Sequence, residues 1–125
     1  MSRDWYQDIV DLNKAYGHYI GKRPHIPPFE VVDLQSNLVK EEIQETFDAI
    51  LEKDLPKIAD GIIDSIVVLL GLAVVYGIDV GPIWEEVHKA NMSKVDGPVR
   101  EDGKRLKPSE WKPPDVEKIL KEQGG

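Results

Sequence analysis

Between Ile62 and Tyr76 the chain runs through fifteen residues of which only Asp64 and Ser65 are polar, and nothing else in the sequence constrains the fold as strongly. A helix that apolar is expected to be buried nearly all round, so the remaining elements must be arranged to cover it. Lys53-Asp54-Leu55-Pro56 reads as the turn before it, with Asp54 as N-cap and Pro56 in the first turn, and Gly77 as its end. No membrane span is expected. Fifteen residues are too few, Asp64 lies inside the run, and Lys57 and Asp79 flank it.

The rest of the chain is helical in period, with no strand, hairpin or repeat signal. A first helix is predicted from about Asp4 to Tyr19, with Trp5, Ile9, Leu12 and Tyr16 on one face and Ser2 as its cap. Gly21 to Pro28 holds Pro24, Pro27 and Pro28 and reads as an extended linker. A second helix follows from Phe29 to Glu52 with two apolar stripes, one through Leu34, Leu38 and Ala49 and one through Ile43, Phe47 and Ile50. Asp79 caps a fourth helix from Val80 to about Ser93, with Val80, Ile83, Trp84 and Val87 facing inward. Val95 to Pro114 is rich in Gly and Pro and is expected to be a long loop, before a short helix capped by Asp115 and running through Leu120. The expected fold class is all-α: a four-to-five-helix antiparallel bundle forming a single domain over residues 1–125, with a long C-terminal loop and a short last helix.

Composition narrows the function classes. With 125 residues and 41% hydrophobic content the chain can build a core without staples. The absence of cysteine excludes disulfides, thiolate metal sites and a thiol nucleophile. A formal charge of −7 argues against a nucleic-acid partner. The N-terminus lacks the apolar core of a signal peptide, so a cytoplasmic protein is expected.

Carboxylates carry the chemistry. In Glu41-Glu42-Ile43-Gln44-Glu45, Glu42 and Glu45 lie three apart and continue the stripe begun by Leu34 and Leu38, which places them on the buried side of the second helix. Asp60 and Asp64 are four apart on the third helix, with Asp64 among isoleucines and valines. An antiparallel pair of helices brings Asp64 toward Glu42 and Glu45, and no Lys or Arg occurs between Lys57 and Lys89 to compensate them. A hard divalent cation resolves that repulsion; with oxygen ligands alone, Mg²⁺ is expected, Mn²⁺ being a possible substitute. A solvated acidic face, or an ion pair of Asp64 with Lys94, is the plain alternative.

Charge is also segregated. Glu30 to Asp64 holds ten acids and three lysines, whereas Lys94 to Lys112 holds six basic residues and four acids. Acids that hold an ion and lysines that hold outer phosphates suit a metal-bound polyphosphate. Two other readings compete: a non-catalytic module with an acidic docking surface, and a dinuclear carboxylate bundle. The latter lacks Glu-x-x-His on the carboxylate helices, since its single occurrence, Glu85 and His88, lies on the fourth.

Five short motifs in order carry a resemblance: Glu41-Glu42-Ile43-Gln44-Glu45, Ala59-Asp60-Gly61-Ile62-Ile63-Asp64, Val75-Tyr76-Gly77-Ile78-Asp79, Val87 to Lys94, and Arg100 to Pro108. From about Trp5 to Asp115 the chain resembles the all-α nucleoside triphosphate pyrophosphohydrolases, in their MazG-like and phosphoribosyl-ATP pyrophosphohydrolase-like branch. The resemblance implies a Mg²⁺-dependent enzyme that cleaves between the α- and β-phosphates of a nucleotide, releasing the monophosphate and pyrophosphate. It also implies a homodimer or homotetramer with composite sites. Carried over, the metal ligands are Glu42, Glu45 and Asp64. Position 61 is Gly where the family commonly has Glu, so Asp60 is the substitute, with a shorter reach toward a second ion. Glu41, beside the ligands but outside their stripe, is the candidate general base. Asn91, Lys94, Lys104 and Lys107 are the candidate phosphate-binding residues. Trp5, Asn13, Tyr16 and Trp111 are candidates for contact with a base, packing being the commoner role of each.

Overall fold

Aspartate starts four of the five helices. In the computed structural model, which describes residues 4–125, the side chains of Asp4, Asp54, Asp79 and Asp115 each accept a hydrogen bond from a backbone N–H of the first turn. The helices are α1 Trp5–Tyr16, α2 Phe29–Glu52, α3 Leu55–Tyr76, α4 Val80–Met92 and α5 Val116–Glu122, and the protein is all-α. α2 has Pro28 at its N-cap and no side-chain cap. Ser2, expected to cap the first helix, lies outside the described residues; Asp4 does the capping. That helix also stops at Tyr16 rather than Tyr19, because Gly17 turns left-handed at φ 69° and caps it.

The chain divides into two compact units, one through Ile78 and one from Asp79. In the first, α2 and α3 are joined by the turn at Lys53 and Asp54 and pack side by side, running in opposite directions. Two glycines decide how closely. A Cβ on Gly61 would stand 2.5 Å from Thr46 Oγ1, and one on Gly71 would stand 2.6 Å from Gln35 Nε2. At Gly61 the added Cβ would also stand 3.1 Å from the Thr46 Cα, so a side chain there meets backbone, whereas at Gly71 it would displace the end of the Gln35 side chain. The polar groups so admitted are used: Gln35 Nε2 donates to Val68 O at 2.9 Å, and Thr46 Oγ1 donates to Glu42 O at 2.8 Å and lies 3.2 Å from Ser65 Oγ.

This contact corrects the expected stripe. The seam on α2 runs through Gln35, Val39, Glu42, Thr46 and Ala49, spaced four and three residues apart in turn, so Leu34 is 55% exposed and Glu45 is exposed. A second expectation also fails: α3 is not buried all round. Ile62, Ile63 and Leu69 are 48%, 53% and 47% exposed. Nor is α3 too short to span a bilayer, since its 22 residues are long and apolar enough by length and composition. Asp60 and Asp64, together with the polar anchors to α2, remain the features that argue against lipid around it.

α1 packs against α3, leaving a cleft of about 300 Å³ lined by Trp5, Asp8, Ile9, Ile63, Ile66, Val67 and Leu70. The linker then binds the end of α3, with Gly21 N donating to Val74 O at 2.9 Å and His25 N to Tyr76 O at 3.1 Å. His25 Nδ1 faces Arg23 O at 2.7 Å and so carries the proton, leaving Nε2 to accept from the Tyr19 hydroxyl at 2.6 Å.

In the second unit α4 packs against α5, with Ala90 and Ile119 buried. Trp84, expected to face inward, is 74% exposed. The segment expected to be a plain loop contains a turn: Val99 bridges Arg105 in antiparallel sense, Leu106 N donates to Pro98 O, and Gly103 turns at φ 92°. Asp102-Gly103 is the dipeptide that signals such a turn.

The glycine seam yields a direct expectation. Gly61→Val should lower unfolding stability by about 2 kcal/mol, because Thr46 is held by backbone and cannot recede. Urea denaturation followed by helical circular dichroism measures it; an unchanged midpoint would mean that the helices can separate at this point without cost.

Candidate active site

Helical register places the acids. On α2, Glu45, Asp48 and Glu52 each precede the seam by one residue; on α3, Lys57, Asp60 and Asp64 do the same. All six line one groove of about 340 Å³, together with Ala49 and Gly61. It holds five carboxylates and one ammonium, which pairs with Glu52 at 3.4 Å in an exposed contact of little energetic weight. Asp48, Glu52 and Lys57 are additions to the sequence reading. The signal for them was present, since positions 45, 48 and 52 repeat the spacing of 57, 60 and 64.

Glu42 does not line the groove. It sits in the seam, and its Oε2 is buried without a hydrogen-bond partner among the described residues. Burial pushes its carboxyl above the ordinary value of 4.5, and the negative charges of Glu45, Asp64 and Asp60 push the same way. Glu41, the expected base, is exposed and does not line the groove, although it lies four residues before Glu45 on the same side of α2, one turn farther along the helix. The structure therefore brings together Glu45, Asp60 and Asp64 along the groove, with Glu42 in the seam and Glu41 one turn beyond Glu45.

The donor chemistry fits a hard cation: every donor is an oxygen, the groove is strongly negative, and one buried carboxylate oxygen lacks a partner. As the side chains stand, no three Asp, Glu or His among the described residues form a ready metal cage.

The candidate phosphate-binding residues all lie in the second unit. Lys94 Nζ is 3.4 Å from Asn91 Oδ1, and the Lys94 and Lys107 ammonium groups each stand 4.8 Å from the centroid of the Trp111 ring. Lys104 is exposed on the turn. Arg100 is bound to Asp102 at 2.5 and 2.8 Å, which holds the Asp102 carboxyl below its usual range and occupies the guanidinium. Of the candidates for base contact, Asn13 is buried and donates to Tyr19 O, a packing role. Trp5 is 54% exposed at the apolar cleft, Tyr16 is 65% exposed, and the Trp111 indole N–H donates to Ala90 O.

Because the folded state favours the protonated Glu42, its contribution to stability is present at low pH and is lost as pH rises through the raised value. In metal-free buffer, Glu42→Gln should therefore raise the urea midpoint at neutral pH and leave it unchanged below about pH 4. Urea titrations at both pH values check this. A Gln variant that is no more stable at neutral pH would show that the carboxylate is adequately solvated.

A protein of Acanthamoeba polyphaga mimivirus, itself uncharacterized, is 29% identical over 97 residues, covering 74% of this chain and 36% of the viral protein. The chain thus spans about a third of that relative's length. The phosphoribosyl-ATP pyrophosphohydrolase profile matches residues 9–91, from α1 through Asn91, so it includes every groove carboxylate and stops short of Lys94, Lys104 and Lys107. That match covers well over half of the sequence, and the chain belongs to the phosphoribosyl-ATP pyrophosphohydrolase family, whose members hydrolyse phosphoanhydrides.

Proposed function

We propose that this protein hydrolyses the α–β phosphoanhydride of a nucleoside triphosphate to the monophosphate and pyrophosphate, using Mg²⁺. The observation that carries the reading is the acidic groove between α2 and α3, with the unpartnered Glu42 oxygen behind it. Glu45 and Asp64, with Glu42 and Asp60, are the residues proposed to hold the ion, which when bound neutralises phosphate charge and activates water. Binding requires the exposed Glu45 and Asp60 side chains to rearrange, since no cage stands ready.

The chain's own residues do the rest. Asn91, Lys94, Lys104 and Lys107 are proposed to bind phosphates, the three lysines supplying positive charge for them. The proton of the attacking water passes, in this proposal, to a groove carboxylate rather than to Glu41, because Glu41 does not line the groove.

We also propose a homo-oligomer. Ile43, Phe47 and Ile50 on α2, and Ile62 and Leu69 on α3, follow the seam by one residue, whereas the acids precede it. The antiparallel pair therefore has an acidic side and an apolar side. Phe47 is 57% exposed and Ile62 is 48% exposed, on a face that one chain does not cover. A second copy of the same face covers it. Lipid fits less well, because the same helix carries Asp60 and Asp64.

Pyrophosphate release from a nucleotide panel, with and without Mg²⁺, tests the reaction. Chelation should abolish turnover. Glu45→Gln and Asp64→Asn should each lower kcat by about a hundredfold or more with helicity retained, and Glu41→Gln should stay within about threefold of wild type. Folded protein that turns over no nucleotide would favour the acidic docking module. For the assembly, light scattering should give a multiple of the chain mass, and Phe47→Glu with Ile62→Glu should return it to that of one chain. A wild-type protein that is monomeric at tens of micromolar would remove the proposed interface.

A further inference from the structure

Lys94 follows α4 by two residues, and Lys107 lies far along the loop, yet both ammonium groups stand 4.8 Å from the centroid of one ring, that of Trp111. They are therefore separated by no more than twice that distance. In the same unit Lys89, Arg100, Lys118 and Lys121 each have a carboxylate within 4 Å. Among the described residues neither Lys94 nor Lys107 has one. Two cations brought to one ring repel each other, and the ring's negative face attracts each. A polyanion is the species that satisfies both together.

The ring is also held in place. Trp111 is half-buried, its Nε1–H donates to Ala90 O at 2.8 Å, and its backbone N donates to Pro108 O at 3.0 Å. Ala90 O belongs to the last turn of α4, and Ser93 Oγ donates to the same oxygen at 2.6 Å. One indole thus fastens the segment behind Lys107 to the helix end that carries Asn91 and Lys94.

We propose that Trp111 is a positioning residue whose indole gathers Lys94 and Lys107 into an anion site for a diphosphate group, either within the nucleotide or as released pyrophosphate. The proposal deepens the polyphosphate reading given above and rests on it. Trp111 acts through the lysines and takes no part in bond breaking.

The test uses the full chain with ¹⁵N-labelled indole nitrogens, the Trp111 resonance being assigned by its loss in Trp111→Phe. Inorganic pyrophosphate, titrated without divalent ions, should move that resonance saturably; sulfate at equal ionic strength should not. Trp111→Leu should raise the pyrophosphate Kd by about fivefold or more and raise KM for a hydrolysed nucleotide similarly, with kcat within about twofold, and Trp111→Phe should recover part of the loss. A Trp111→Leu protein of unchanged melting temperature whose pyrophosphate Kd stays at the wild-type value overturns the proposal. If that variant does not fold, the wild-type titration decides, and a Trp111 resonance indifferent to millimolar pyrophosphate overturns it equally. Failure of the reaction reading looks different: no nucleotide is hydrolysed while the resonance still answers pyrophosphate, which supports the anion site alone.

Discussion

Two glycines on α3 let α2 come so close that side chains of the facing helix touch backbone. The placement of the carboxylates follows from that approach. With Thr46 against Gly61 and Gln35 against Gly71, the rotation of α2 about its own axis is set, and with it the fate of each carboxylate. Glu42 is turned into the seam and Glu45 onto the groove, with Glu41 one turn farther along the same side. A bulky residue at position 61 would have separated the helices and dissolved the groove. A longer side chain could not stand at position 61 with the helices this close, which gives Gly61 a structural reason and leaves Asp60 as the neighbouring acid.

The same rotation separates charge from oil. Acids precede the seam by one residue on both helices and apolar side chains follow it by one, so an antiparallel pair acquires two chemically opposed sides. Such an arrangement is strained in isolation in two ways. Repelling carboxylates want a cation, and an uncovered apolar face wants a cover. Cation and second copy are proposed to answer the two demands at different faces, so neither has to displace the other.

The second unit solves a different problem, that of holding like charges together. Four of its basic residues, Lys89, Arg100, Lys118 and Lys121, are neutralised locally, and Lys94 and Lys107, which have no carboxylate among the described residues, are the two that meet over Trp111. An aromatic ring can attract two ammonium groups without neutralising either, so they keep their charge for a ligand. A carboxylate in the same place would have organised them equally well and silenced them.

Much of this was legible in the residues alone. Helical period, aspartate caps and the Lys53–Pro56 turn determined an all-α fold and nearly every helix boundary, because those signals act over a single turn of chain. The identity of the acids and lysines, and the family to which they point, were equally local in origin. Tertiary structure alone decided which helix face meets which. The Leu34, Leu38, Glu42, Glu45 stripe and the actual seam differ by a fraction of a turn, and periodicity cannot choose between faces that close. The choice falls to steric contact at Gly61 and Gly71, which lie on the next helix, many residues of chain away from the groups they position. The meeting of Lys94 and Lys107 on Trp111 is of the same kind, since a loop's path depends on where its far side chains find a partner.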